Sequence, residues 1–364
     1  MLALHTLWFI LLAILWVGFF VLEGFDLGVG ALHTVVGRTE DEQRAAINTI
    51  GPWWDGNEVW LIVAGAGTFA AFPGWYATWF SALYLALLLV LAALMARGVA
   101  FEFRGKSDDP RWRRTWSLCL TIGSLLIPLL LGVGLGDLLT GLPINAEHEF
   151  TGNFFDLLRP YGLFTGITLL VLCLLHGCTF LRLRSGPPIT DRARSLSRPL
   201  GWVAVALVVG FVIWTRAEVG KTVPDPVQAL AILAVVFAAV LAPREQHIGW
   251  AFTCSAVAIA ATVGSLFIHL YPHVMVSSTS AAYDLTVNNA ASGHYALAVM
   301  TVVTIVFLPL VLLYQGWSFY VFRARVLVPS EPAGTPSQTP AAGPSGPQGG
   351  GPEPSAPSPP AAPA

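Results

Sequence analysis

Apolar runs long enough to cross a bilayer recur along most of this chain, separated by short polar or charged breaks. A helical span needs about 20 apolar residues. Nine runs qualify, at roughly 4–30, 50–72, 75–98, 116–138, 161–183, 199–217, 226–243, 247–270 and 295–322. The pattern predicts an all-α integral membrane protein of about nine transmembrane helices. The first run is too long for a signal peptide, lacks a basic n-region and has no A-x-A cleavage site, so it is expected to remain as a helix. Beyond about residue 328 the pattern stops and Pro, Ala, Gly and Ser dominate. That composition cannot build a core, which predicts a membrane domain over 1–327 and a disordered cytoplasmic tail over 328–364.

Polar positions inside the spans are few, and four of them are carboxylates. Glu23 and Asp26 lie in V-L-E-G-F-D-L-G-V-G, and Asp55 and Glu58 in P-W-W-D-G-N-E-V-W. A carboxylate in hydrocarbon costs about 3 kcal/mol on insertion scales, which makes each a functional candidate. Only fifteen residues run from Val59 to Pro73, too few to cross, so the second span is expected to begin near Ile50 with Pro52 in its first turn. Asp55 then sits about 8 Å and Glu58 about 12 Å in from that end. With the first span ending near Gly30, Glu23 and Asp26 are expected within about 10 Å of the same membrane face. Each pair is spaced i, i+3 and shares a helix face. Gly24 and Gly28 form a small-x-x-x-small pattern that admits another helix backbone. Carboxylates beside such a contact can face protein or trapped water and pass protons; the alternative is that they glue helices through hydrogen bonds.

Composition and charge refine the setting. The chain is 55% hydrophobic and 11% charged. Lys and Arg cluster at 97–114 and 182–198, with Arg38, Arg44, Arg244, Arg323 and Arg325 in breaks of the same parity. Sixteen of the nineteen basic residues share one side if the N-terminus is outside and the C-terminus cytoplasmic; Arg159, Arg216 and Lys221 take the other. The long outer connections, about 139–160 and 271–294, carry Glu147, Glu149, Asp156 and Asp284 and are expected to cover the membrane face. Cys119, Cys173, Cys178 and Cys254 lie in apolar runs without C-x-x-C spacing and read as buried thiols, which leaves no disulfide framework or zinc site.

Haem ligation is weighed on the histidines. His176 lies in the fifth span, and His5, His269, His273 and His294 gather near outer span ends. A bis-histidine haem can be drawn from the outer set, but none forms a mid-span pair on facing helices, and interfacial rings account for them. Trp53, Trp54, Trp60, Trp75 and Trp79 read as an aromatic belt, with Trp54 also placed to line a quinone headgroup pocket.

G-F-D-L-G-V-G (24–30) and W-D-G-N-E-V-W (54–60) resemble subunit II of cytochrome bd-type quinol oxidases. The resemblance continues at F-R-G-K (103–106), T-G-N-F-F-D-L-L-R-P-Y-G-L (151–163), Y-P-H-V-M-V-S-S (271–278) and F-L-P-L-V-L-L-Y-Q-G-W (307–317), and covers about residues 1–327. It implies two four-helix bundles plus one extra helix, in the bacterial cell membrane. It implies a haem-bearing subunit I as partner, holding two b-type haems and one d-type haem, with none on this chain, and membrane lipid and quinol as further partners. Small accessory subunits are compatible with it; nucleic acid is not expected. The complex would oxidise quinol on the outer side and reduce dioxygen to water with cytoplasmic protons, building a proton-motive force. The family's proton-entry aspartate falls on Asp55. The aspartate of its G-F-D motif falls on Asp26, a candidate in the path or in subunit packing. Glu23 stands where an acid is common, and Glu58 where a neutral amide can occur. Some members hold a quinone near the tryptophan that aligns with Trp54. Two readings of other classes stay open: a proton-coupled secondary transporter, which would show inverted repeats and broken helices, and a purely structural membrane scaffold.

Overall fold

The computed structural model of the chain describes residues 2–328; the expected tail lies, from residue 329 on, outside the described residues. The helices are α1 (Leu2–Val36), α2 (Glu40–Asn48), α3 (Trp54–Ala71), α4 (Pro73–Ala82), α5 (Tyr84–Phe103), α6 (Pro110–Thr140), α7 (Pro160–Arg184), α8 (Ile189–Glu218), α9 (Pro226–Leu241), α10 (Ile248–Leu270) and α11 (His294–Val321). Among the described residues, seven of them are long and apolar enough to cross a membrane: α1, α5, α6, α7, α8, α10 and α11. The expected second and seventh spans fall on α3 and α9, which have 18 and 16 residues. An all-helical answer follows from the solvent, since a backbone in hydrocarbon must satisfy its own polar groups.

Proline and capping residues set the helix starts. Pro73, Pro110, Pro160 and Pro226 open α4, α6, α7 and α9, where a missing N–H costs nothing. Asp109 and Asp225 cap α6 and α9 by accepting from the backbone N–H of Arg111 and Gln228. Two boundaries differ from expectation. α1 runs on to Val36 instead of ending near Gly30, because its stop is Gly37 and the Thr39–Glu42 capping box that starts α2. α3 starts at Trp54 instead of Ile50, because the residue before a proline is disfavoured in the helical region and Gly51-Pro52 therefore sits in a turn. The expected third span is divided at Leu83 into α4 and α5.

Packing separates the helices into two groups. α1, α3, α5 and α6 pack together, α7 to α10 pack together, and the groups are joined by α6 lying along α7 and by α1 lying along α7 and α10. α11 lies outside both, touching mainly α1 and α3. Trp16, Phe19, Phe20 and Leu27 of α1 are fully buried in the shared core. The contact of α1 with α7 is backbone on backbone at Gly28 and Gly177, where a Cβ on Gly28 would stand 2.8 Å from the Gly177 Cα. The two long connections pair with each other: Leu142 N–H donates to Val276 O at 3.0 Å, and Ser278 N–H to Leu142 O at 2.9 Å. A short antiparallel pair, β1 (His273–Met275) and β2 (Leu285–Thr286), stiffens the second of them.

Glu42 fastens α2 to α8. It accepts from the Arg192 guanidinium and from the backbone N–H groups of Arg38 and Thr39. The Arg192 hydrogen bond, assisted by those amides, holds the Glu42 carboxyl down at about 2. A carboxyl depressed in the folded state stabilises it fully above its unfolded value and loses that contribution as pH falls through the folded one. The thermal midpoint of the purified protein is therefore expected to drop between about pH 5 and pH 2 by more in wild type than in Glu42→Gln. Equal drops would show that Glu42 carries none of the acid sensitivity.

Candidate functional site

The intramembrane carboxylates converge on a residue that the sequence reading placed elsewhere. Arg97, counted above among loop cations, is fully buried on α5. Its Nη1 stands 2.6 Å from Glu23 Oε1 and 3.1 Å from Glu58 Oε2, joining α1, α5 and α3. A guanidinium fits this task because its charge is permanent and its Nη1 carries two hydrogens for the two acceptors. The same rule that singles out a carboxylate within an apolar run also applies to an arginine there, and that signal was present at Arg97.

One turn along α1, Asp26 is held by a neutral chain. Asn57 Nδ2 donates to Asp26 Oδ2 at 2.7 Å and to Leu22 O at 3.1 Å. Gln315 Nε2 of α11 then donates to Asn57 Oδ1 at 2.7 Å. Asn57 and Gln315 were not among the predicted site residues. The i, i+3 spacing that brings Glu23 and Asp26 to one face thus serves two different partners, a cation and an amide.

Burial grades across the four carboxylates. Glu23 and Asp26 are wholly buried, Glu58 keeps 21% of its side chain exposed, and Asp55 is exposed. The expected depths change accordingly. Asp55 is the second residue of α3, at the helix mouth and not about 8 Å inside it. Glu23 and Asp26 lie thirteen and ten residues before the end of α1, or about 20 and 15 Å instead of about 10 Å. Asp55 makes no ion pair among the described residues, so Glu58, not Asp55, joins the buried pair.

An aromatic layer adjoins the cluster. Trp54 stacks on Phe101 at 4.6 Å and 24°, and the Arg97 guanidinium lies 5.2 Å above the Phe101 ring. Trp54 and Phe101 are each one turn nearer their helix ends than Glu58 and Arg97, so the pair lies on the helix-end side of the ionic cluster.

Two of the histidines, His176 and His269, have both ring nitrogens on protein groups. His176 has Nδ1 at 2.7 Å from Ser255 Oγ and Nε2 at 3.3 Å from Val21 O, and its ring stacks on Phe252 at 4.4 Å. Both nitrogens of His269 are likewise engaged, by Ser265 O and Arg216. The four cysteines are free thiols, with Cys173 and Cys178 buried.

Comparison with known proteins follows the same lines. The family profile of cytochrome bd terminal oxidase subunit II matches residues 4–322. Cytochrome bd ubiquinol oxidase subunit 2 of Bacillus subtilis is 44% identical over 331 residues, covering 90% of this chain and 98% of its own. Cytochrome bd-I ubiquinol oxidase subunit 2 of Escherichia coli is 35% identical over 360 residues, covering 89% of this chain and 95% of its own. The bd oxidase structure from Geobacillus thermodenitrificans superposes with a TM-score of 0.69 at 17% identity, over 88% of this chain and 99% of that one, a likeness of fold.

Proposed function

Since this chain belongs to the cytochrome bd terminal oxidase subunit II family, we propose that it is the haem-free subunit of a quinol:dioxygen oxidoreductase and carries its cytoplasmic proton route. The supporting observation is the graded burial of Asp55, Glu58, Glu23 and Asp26 around one guanidinium. Asp55, at the open end of α3, takes protons from water. Glu58, half-way in burial, passes them to the Glu23–Arg97 pair, and Asp26 forms the inner end. One guanidinium balances one carboxylate, so the other two carboxylates of the inner cluster restore charge balance by binding protons. Arg97 orients Glu23 and Glu58 toward one another, and Asn57 fixes Asp26 through its amide.

In this reading the haem-bearing subunit I reduces dioxygen to water, and its two b-type haems and one d-type haem supply the electron chemistry. Protons drawn from the cytoplasm, with the N-terminus outside and the C-terminus inside, build the proton-motive force. Trp54, resting one face on Phe101, leaves its remaining surface to a quinone ring.

Asp55→Asn tests the route. Exposed Asp55 contributes little packing, so assembly and the reduced haem spectrum are expected near normal, while quinol-driven oxygen uptake falls about tenfold or more. Normal turnover in that variant would remove Asp55 from the path. Lost assembly with an unchanged rate per assembled complex would favour the scaffold reading.

A further inference from the structure

A second charged junction lies far from the carboxylate cluster. Arg192, near the start of α8, meets the end of α1 through Val36 O at 2.8 Å. Arg216 follows after about 36 Å of helix, at the other end of the bundle. There it meets Asp225, the cap of α9, and His269, in the last turn of α10. Arg216 Nη1 is 2.8 Å from His269 Nε2, Asp225 Oδ2 is 3.2 Å from the same nitrogen, and Arg216 stands 3.8 Å from Asp225.

These contacts select one tautomer. An arginine only donates, so the short Arg216 contact requires His269 Nε2 to accept, and its ring hydrogen then sits on Nδ1. Nδ1 faces Ser265 O at 2.8 Å, an acceptor that suits that hydrogen. The junction is thus built for a neutral imidazole, with a carboxylate held at the nitrogen that would take a proton. Histidine is the side chain whose charge ordinarily changes near neutral pH.

We propose that His269 is a proton-binding site whose occupancy decides whether α10 is tied to the end of α8 or to the start of α9. A proton taken by the Nε2 lone pair turns that nitrogen into a donor. It then faces a guanidinium that has lost its acceptor, and a carboxylate already within hydrogen-bond reach. Arg216 is pushed off, and the Nε2–H bonds Asp225 Oδ2. Asp225 keeps its cap on α9 through Oδ1, which accepts from Gln228 N–H at 2.8 Å. The side chain of Asp225 is 22% exposed against 5% for His269, so the proton enters past the carboxylate.

Other titratable groups near this end are engaged elsewhere. On α7, Tyr161 bonds Thr215 at 2.8 Å; on α8, Glu218 accepts from Trp214 Nε1 at 3.0 Å. On α1, His5 meets Asn288, and after α10 His273 pairs with Asp284 at 3.4 Å. Asp137 of α6 and Lys221 of the α8–α9 connection make no side-chain contact with His269 among the described residues. Gln228, fully buried, has both amide atoms without a hydrogen-bond partner among the described residues, so the junction has polar capacity to spare.

Hydrogen exchange on the purified oxidase complex reads the switch. After correction for intrinsic rates, amides at 216–224 are expected to exchange several-fold faster at about pH 5 than at about pH 8. His269→Gln, neutral throughout, is expected to abolish the step. Asp225→Asn keeps a good cap but takes the carboxylate from the protonated ring, and is expected to shrink the step. A flat wild-type profile would overturn the proposal, as would a step that survives in His269→Gln. If His269→Gln does not assemble, an undiminished step in Asp225→Asn overturns it equally.

Discussion

Arg97→Leu is expected to abolish accumulation of the assembled complex. The substitution leaves Glu23 wholly buried with no cation, and strips Glu58 of the same partner. Breaking a buried ion pair from one side costs about 3–5 kcal/mol, a large share of a typical stability. Arg97→Lys keeps the charge but reaches one acceptor well and the second poorly, so an intermediate yield is expected. Pairing Arg97→Met with Glu23→Gln removes the uncompensated charge at similar volume and is expected to recover much of the yield. The measurement is complex per milligram of membrane protein, with the thermal midpoint of what is purified. Wild-type yield in Arg97→Leu would show that the guanidinium does not hold α1, α3 and α5 together.

Gly28→Val should be as damaging, for a steric reason. Even a Cβ at Gly28 would lie 2.1 Å from the Cys173 carbonyl oxygen, and backbone atoms of α7 cannot swing aside as a side chain does. Overpacking usually costs about 1–3 kcal/mol, and a backbone clash that separates α1 from α7 belongs at or above the top of that range. Gly24, one turn earlier in the same motif, makes the comparison sharp. Its Cβ would meet the Cys173 Sγ at 3.3 Å, a contact that a small adjustment relieves. Gly24→Ala is therefore expected to assemble with at most a modest loss of thermal midpoint. Equal behaviour of Gly24→Ala and Gly28→Val would remove the helix contact as the reason for the glycine at 28.

The two glycines illustrate how much was legible in the chain. The small-x-x-x-small spacing announces a close helix contact, but which glycine touches backbone, and on which helix, depends on the partner Gly177. Glu23, Asp26 and Glu58 were visible as polar interruptions of apolar runs, and all three lie in the site. Asp55 was equally visible, yet it stands exposed at the mouth of α3, because Gly51-Pro52 delays that helix to Trp54. Arg97 carried the same signal as the carboxylates but, lying at a span edge, read as part of a basic loop. Asn57 and Gln315 gave no comparable signal. They are 258 residues apart in sequence and meet only because α11 lies against α3.

Local order along the chain was enough for the helical class and the kinship of its motifs. Hydropathy and capping act over one to five turns, and a backbone in hydrocarbon has few alternatives to a helix. Partner choice was settled at the next level. Arg97 with Glu23 and Glu58, Asn57 with Asp26, and His269 between Arg216 and Asp225 each join different helices. Contacts of that kind depend on which helix faces lie together and at what depth, quantities that no stretch of sequence encodes by itself.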